Sequence, residues 1–518
     1  MKKIKFLLPI IAFSLFSCSD YLDINTSPNQ PIGSQITPDL ALANAESTSY
    51  REIARNMNRL GNFYMNNWGM NVNSFAATSP QEFSLSLDNS FYNTIWDNAY
   101  RSTGDYSLII RHAAPNYENH KAIAMIMKSY HFQYLVDIYG DIPYFQAHLG
   151  VEELTPAYDD DKAIYRDLVV QIDNAIAMID AQTATPTAKT VGSEDVINGG
   201  NMQKWKQFAN TLKLRILLRQ SDLAAVDAET ATYLAAQFAT LPTSTADYVS
   251  EDVTINPGYG DGNANQQNPF YAQMVAQGNA LPLTFNNEYR FVRASKYFGD
   301  QLNATNDPRG GSIFETDAPG IQGVLQGDNA QINGGTAPIA ITGLGVSVRD
   351  ASGVLTGRQR LVDESEQDGF VMTLAESKLL QAEAVHRGYL AGSAQVLFDE
   401  GVTASFAQLH ATVGIYLATV NGMPGLGYAV GTPDEQIQAI MYQKNIALVG
   451  GMNAMESFIE HTRTGLIDNI PLSISGVTKP NKPRRLLYPT SELVGNSANV
   501  PTQSVNDVFT TGAFWFVH

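Results

Sequence analysis

Two short stretches set aromatic rings among side-chain amides: "NRLGNFYMNNWG" at 58–69 and "NQQNPFY" at 265–271. A flat ring can cover the apolar C–H face of a sugar, and Asn or Gln can exchange hydrogen bonds with its hydroxyls. The candidate binding residues are therefore Tyr64, Asn66, Asn67 and Trp68 in the first stretch, and Asn268, Phe270 and Tyr271 in the second. Each ring has a competing use as a cap on the core, with the amides tying down turns. Trp96 and Trp205 fall in periodic segments and are expected in the core.

Other chemistries lack their residue patterns. The eight histidines include no HExxH pair. His112 and His120 flank Pro115, and His131 sits inside a helical pattern, where it reads as a core residue. There is no phosphate-binding GxxxxGK[ST] loop and no GxSxG elbow. "GYGDG" has glycines spaced as in a dinucleotide loop, without the strand before it or the helix after it. Asp261, Asn263 and Asn265 alternate like the opening of a calcium loop, but Gln266 and Ala272 stand where that loop needs Gly and Glu. No motif requires a cofactor, and no metal ligands are assigned. A structural calcium ion among loop carboxylates and carbonyls stays open. Glycoside hydrolysis needs two carboxyls facing each other across a sugar. Glu152 with Glu153, and Asp159 to Asp161, are only neighbours in sequence. No catalytic residue is assigned.

The single cysteine, Cys18, excludes an intramolecular disulfide and thiolate chemistry in the body. It ends a basic, then apolar run, "MKKIKFLLPIIAFSLFSC". That run is too short to span a bilayer as a helix, which takes ~20 residues, and has the pattern of an export signal. Residues 1–17 are read as a lipoprotein signal peptide, and Cys18 as the acylated residue. Residues 18–35 form a tether and extended lead-in, interrupted by Pro28 and Pro31. The net charge of −18 opposes nucleic-acid binding and adsorption to anionic lipid, so covalent lipid must do the anchoring.

Helical periodicity dominates from 36 to 518, read as one domain. Thr37 and Pro38 form a helix start. Ile123, Ile126, Met127, Tyr130, Tyr134 and Ile138 recur at steps of three and four on one face, before "GDIP" stops the pattern. A second face comprises Ile164, Leu168, Ile172, Ile176 and Ile179. Further helices are expected from Trp205 to Gln220, in "GFVMTLAESKLLQAEAVHRGYL", in "AGSAQVLFDEGVTASFAQLH" and in two segments after 432. The fold class is mainly α: tetratricopeptide-like helical pairs with long irregular loops and a few short strands. Residues 182–200, 252–285, 303–360 and 466–518 are the irregular parts.

"CSDYLDINTSPNQP", "YHFQYLVDIYGDIPYFQA", "NQQNPFY", "NDPR", "ESKLLQAEA", "FIEHTRTG" and "RRLLYPTSE" follow one another over nearly the whole mature chain. In that order they resemble the SusD/RagB nutrient-binding outer-membrane lipoproteins of Bacteroidetes, in their SusD-like branch. The resemblance implies four tetratricopeptide-like helix pairs and a lipid-anchored protein facing the cell exterior. It also implies a partner, a TonB-dependent transporter of the SusC type, to which glycan or other nutrient is passed uncut. It carries no catalytic residues over to this chain. The expected function is capture and delivery of a glycan or oligosaccharide. Peptide cargo, a glycoside hydrolase and a structural surface adhesin are the alternatives.

Overall fold

The computed structural model describes residues 36–70, 80–263, 265–277, 284–316, 320–328, 341–350 and 352–518. The expected leader, Cys18 and the tether lie outside them. Helix α1 (Pro38–Glu52) begins at the expected proline, but the Thr37 hydroxyl bonds the Asp39 carboxylate (2.5 Å) and caps no backbone N–H. A five-residue π-turn joins α1 to α2 (Asn58–Tyr64), and β1 (Trp68–Met70) follows. Then come α3 (Asn93–Arg111), α4 (Glu118–Tyr139), α5 (Asp161–Ala184), α6 (Met202–Leu218) and α7 (Ala228–Phe238).

The α5 stripe behaves as its spacing predicts. Ile164, Leu168, Ile172 and Ile179 are buried, and Asp160 caps the helix by accepting from the Ala163 N–H (2.8 Å). Helix α4 is different. Its second half is buried on every side, including Phe132, Leu135, Val136 and Tyr139, because α3 and α5 pack on either side of it. A helix enclosed in this way has no solvent face to pattern. His131 is buried within it, and burial lowers its pKa to about 3, so it is a neutral core residue.

The middle of the chain supplies the short strands. They are β2 (Val253–Ile255), β3 (Val292–Ala294) and β4 (Gly369–Met372). Helices α8 (Pro269–Met274), α9 (Asn287–Phe291) and α10 (Lys296–Ala304) lie between β2 and β4. β1 pairs antiparallel with β3, Trp68 opposite Ala294, and β2 pairs antiparallel with β4 through an irregular register. "GFVM" is therefore a strand, where periodicity suggested the start of a helix. The helix begins after it, at α11 (Leu374–His386), with Thr373 accepting from the Glu376 N–H (3.0 Å). Helices α12 (Ala394–Gln408), α13 (Pro433–Ala447) and α14 (Ala454–Arg463) follow, and short helical turns run on toward residue 510. α11 pairs with α12, as α5 does with α4.

Buried charge stitches these helices together. Arg215 Nη1 meets Glu376 (3.0 Å), Arg219 Nη2 meets Glu456 (2.8 Å) and Arg463 Nη2 meets Glu383 (2.8 Å). Lys444 lies 3.4 Å from Glu460, and Arg219 Nε lies 3.3 Å from Asp137. Residues of α4, α6, α11, α13 and α14 thus share one network. Glu376 and Glu383 of "ESKLLQAEA" and Glu460 and Arg463 of "FIEHTRTG" serve this purpose. A lone charge is costly inside a protein, so each of these groups fixes where its partner's helix must lie.

Candidate functional site

The seven residues expected to bind ligand are all buried in this structure. Trp68 packs edge-on against Phe63 with centroids 5.7 Å apart, and Phe270 lies 6.4 Å away. Tyr64 lies against Phe91 and Phe458. Asn67 exchanges amide hydrogen bonds with Asn445 (3.0 and 3.2 Å), and Asn66 donates to the Pro471 carbonyl (3.3 Å). Asn268 caps α8 through the Phe270 and Tyr271 N–H groups (2.9 and 3.1 Å). Asn268 and Phe270 also border a dimple of 10 Å³, no larger than one water. In this conformation the seven hold the core and its turns together. None presents an open ring face or amide to a sugar in solution.

A ring pair with more exposure lies on α9 and the residues before it. Phe285 and Tyr289 stack 4.1 Å apart at 16°, and both are half-buried. Asn286 builds the turn beneath them. Its Oδ1 accepts from the Tyr289 N–H (3.1 Å), its amide donates to the Ala272 and Gln273 carbonyls, and its own N–H donates to Val275 (2.8 Å). Arg293 closes the other end by donating to the Tyr289 and Val292 carbonyls (2.9 and 2.7 Å). The rings are therefore mounted on a short helix clamped to α8 and β3.

Charged and hydroxyl groups surround the pair. The Tyr289 hydroxyl donates to Glu315 (3.1 Å). Burial, and then Glu315, raise the pKa of Tyr289, so it stays a neutral donor. Glu288, one residue before Tyr289, meets Arg59 Nε of α2 at 3.2 Å. The same guanidinium bonds Glu82 and the Tyr92 hydroxyl and lies over the Phe63 ring at 4.9 Å. Burial works against the Arg59 charge, but Tyr92, Glu82 and Glu288 overcome it and hold the pKa above its usual value. The result is a ledge of two half-buried rings beside the Glu315 carboxylate, its helix tied through Glu288 to the Arg59 guanidinium. That inventory can cover a sugar's C–H face and bond its hydroxyls.

Sequence reasoning missed this ledge, although the signal was present. "TFNNEYRF" at 284–291 interleaves rings and amides as densely as the two stretches singled out above. Burial separates the three, and interleaving carries no information about burial. A cleft of 480 Å³ lies beside "NDPRGG". Among the described residues its lining holds no aromatic side chain, and its Asn303 amide is committed to the Ile321 backbone (2.8 and 2.9 Å). For a cation, carboxylate oxygens of Asp141, Asp160 and Asp161 converge within 4.8 Å. Asp161 is already engaged by the Phe514 N–H (2.7 Å), and burial, then Asp141, raise its pKa to about 6. The alternating Asp261, Asn263 and Asn265 are exposed and partly bonded to one another.

The family model described as "Starch-binding associating with outer membrane", of the SusD-like type, matches residues 28–489. The chain belongs to the SusD-like family. Members of this family are nutrient-binding proteins rather than enzymes, and their setting is the outer membrane of Bacteroidetes. Among solved structures, a chitin-binding protein is similar at 24% identity and TM-score 0.67, covering 93% of this chain and 100% of its own. A chitin-binding SusD homolog from Flavobacterium johnsoniae is similar at 20% identity and TM-score 0.67, over 88% of this chain and 94% of its own. A SusD homolog from Bacteroides fragilis is similar at 17% identity and TM-score 0.66, over 90% and 95%. At these identities the likeness shows the fold. No curated protein matches the chain. SusD-like pairing of helices and short strands accounts for the architecture. No helix among the described residues is long and apolar enough to cross a membrane.

Proposed function

We propose that this SusD-like protein captures glycan or oligosaccharide at the cell surface and passes it to a TonB-dependent transporter of the SusC type. The observation that carries the cargo assignment is the stacked Phe285–Tyr289 pair, fringed by Glu288, Glu315 and Arg59. Anchoring through acylated Cys18 would keep the captured cargo at high effective concentration beside the channel. The family and the leader sequence support that arrangement.

Calorimetry of the mature protein against oligosaccharides tests the assignment. Chitotriose is the first probe, because two proteins of similar fold are described as chitin-binding. Tyr289→Ala should weaken binding about tenfold, the scale of one lost ring contact and its buried area. Peptide binding with no response to any glycan, or an affinity indifferent to Tyr289→Ala, would overturn the reading. Native pull-down from detergent-solubilised outer membrane tests the partner, which should co-purify as a barrel transporter.

A further inference from the structure

We infer that the helical side of the molecule carries a second binding site, for a short neutral saccharide, in a 710 Å³ cleft between α7, α11 and α13. That volume falls within the range of small-molecule sites, roughly 300–1,000 Å³.

Tyr389 supplies the ring. α11 ends at His386, and Gly388 at φ +76° turns the chain back so that the Tyr389 N–H bonds the Ala384 carbonyl (2.8 Å). The turn lays Tyr389 flat on Phe238 at the end of α7, with centroids 4.1 Å apart and planes within 2°. Phe238 is buried and does not line the cleft, whereas Tyr389 is half-buried and does. One face of Tyr389 is thus supported by protein, and the ring borders the open space. A ring held in this way loses little freedom when a ligand covers it.

Donors and acceptors face the same space. Arg387 is fixed by Asp222 Oδ1 (2.8 Å) and Glu383 (2.7 Å). Asp222 Oδ2 lies 3.6 Å from Arg463 and 3.8 Å from His518, beyond hydrogen-bond length and so able to accept from a hydroxyl. His386 is tied through Nδ1 to the Tyr428 hydroxyl (2.8 Å), which leaves Nε2 for a ligand. Asp434 is exposed on the rim. Glu383, which holds Arg387, pairs with Arg463 in the buried charge network, so the Arg387 wall of the cleft is anchored to the core. Carboxylates on either side of an Arg suit vicinal hydroxyls and disfavour an anion. A cleft of this volume has room for only a few sugar rings.

Equilibrium titration of full mature protein with chitotriose, read as sites per chain and affinity, tests this inference. Wild type should bind at two sites. Tyr389→Ala should remove one and leave the site that Tyr289→Ala weakens. Asp222→Asn keeps the shape and should weaken the same cleft site about tenfold, with circular dichroism confirming the fold of each variant. Unchanged stoichiometry and affinity in both Tyr389→Ala and Asp222→Asn would overturn the second site while leaving the ledge reading intact. Loss of all binding in Tyr389→Ala with no effect of Tyr289→Ala would overturn the ledge and retain the cleft. No binding by wild type overturns both for this class of ligand.

Discussion

Tyr289 and Trp68 have similar local sequence, an aromatic residue among asparagines, and opposite fates. Trp68 is enclosed because β1 pairs with β3 and the Phe63 and Phe270 rings lie against it. Tyr289 sits on a one-turn helix at the edge of that arrangement. Asp137 shows the same dependence on surroundings. It faces Arg219, Tyr165 and Trp515 inside the core, and burial raises its pKa to about 6 despite the Arg219 charge. Folded protein therefore binds a proton more tightly at Asp137 than unfolded protein does, so stability should rise as pH falls from 7 toward 4. The gain from such a shift is on the order of 2–3 kcal/mol. Asp161, also raised to about 6, acts in the same direction. Glu460 acts oppositely: burial pushes its pKa up, but Arg463, Lys444 and Arg219 hold it well below the ordinary range. Its contribution is lost as pH falls below the ordinary glutamate range, where the unfolded chain takes up the proton before the folded one. Denaturant midpoints should rise from pH 7 to a maximum at about pH 4, and Asp137→Asn should flatten that limb. A midpoint falling steadily from pH 7 to 5 would contradict this assignment.

At the scale of elements, packing depends on a few close approaches and on the charge network. Gly61 of α2 lies so near α14 that an added Cβ would sit 2.4 Å from the Ala454 backbone. Gly61→Ala must push the two helices apart, and the expected cost is ~1–3 kcal/mol or more, read from the unfolding midpoint. Arg219→Met should be worse, about 3–5 kcal/mol, because it leaves Asp137, Glu456 and Glu460 without their shared cation. A loss near zero would show that the carboxylates find other partners. The helices themselves were legible: the α5 stripe follows from its spacing, and the existence of α11, though not its start, from its periodicity. The strand "GFVM" was not, since four apolar residues fit either element and β2 decides by pairing with them. The helix faces also misled where a helix is buried all round, as in α4, because amphipathic spacing records a solvent face.

For the molecule as a whole, Cys18→Ala should release the protein from the membrane fraction while its circular dichroism stays that of wild type, since the body described from residue 36 onward does not include it. Retention in the membrane fraction would count against the acyl anchor. The body's sequence determined a mainly helical, disulfide-free, acidic protein of the SusD-like kind, because periodicity, composition and ordered motifs are local or additive properties. It also determined which ligand chemistry was plausible, because ring and amide abundance is compositional. Only tertiary structure decided which rings remain open. Exposure of Phe285, Tyr289 and Tyr389, and enclosure of Trp68 and Phe270, depend on elements far away in the chain packing against them. Solvent access is a property of the assembled surface, and no short stretch of sequence contains it.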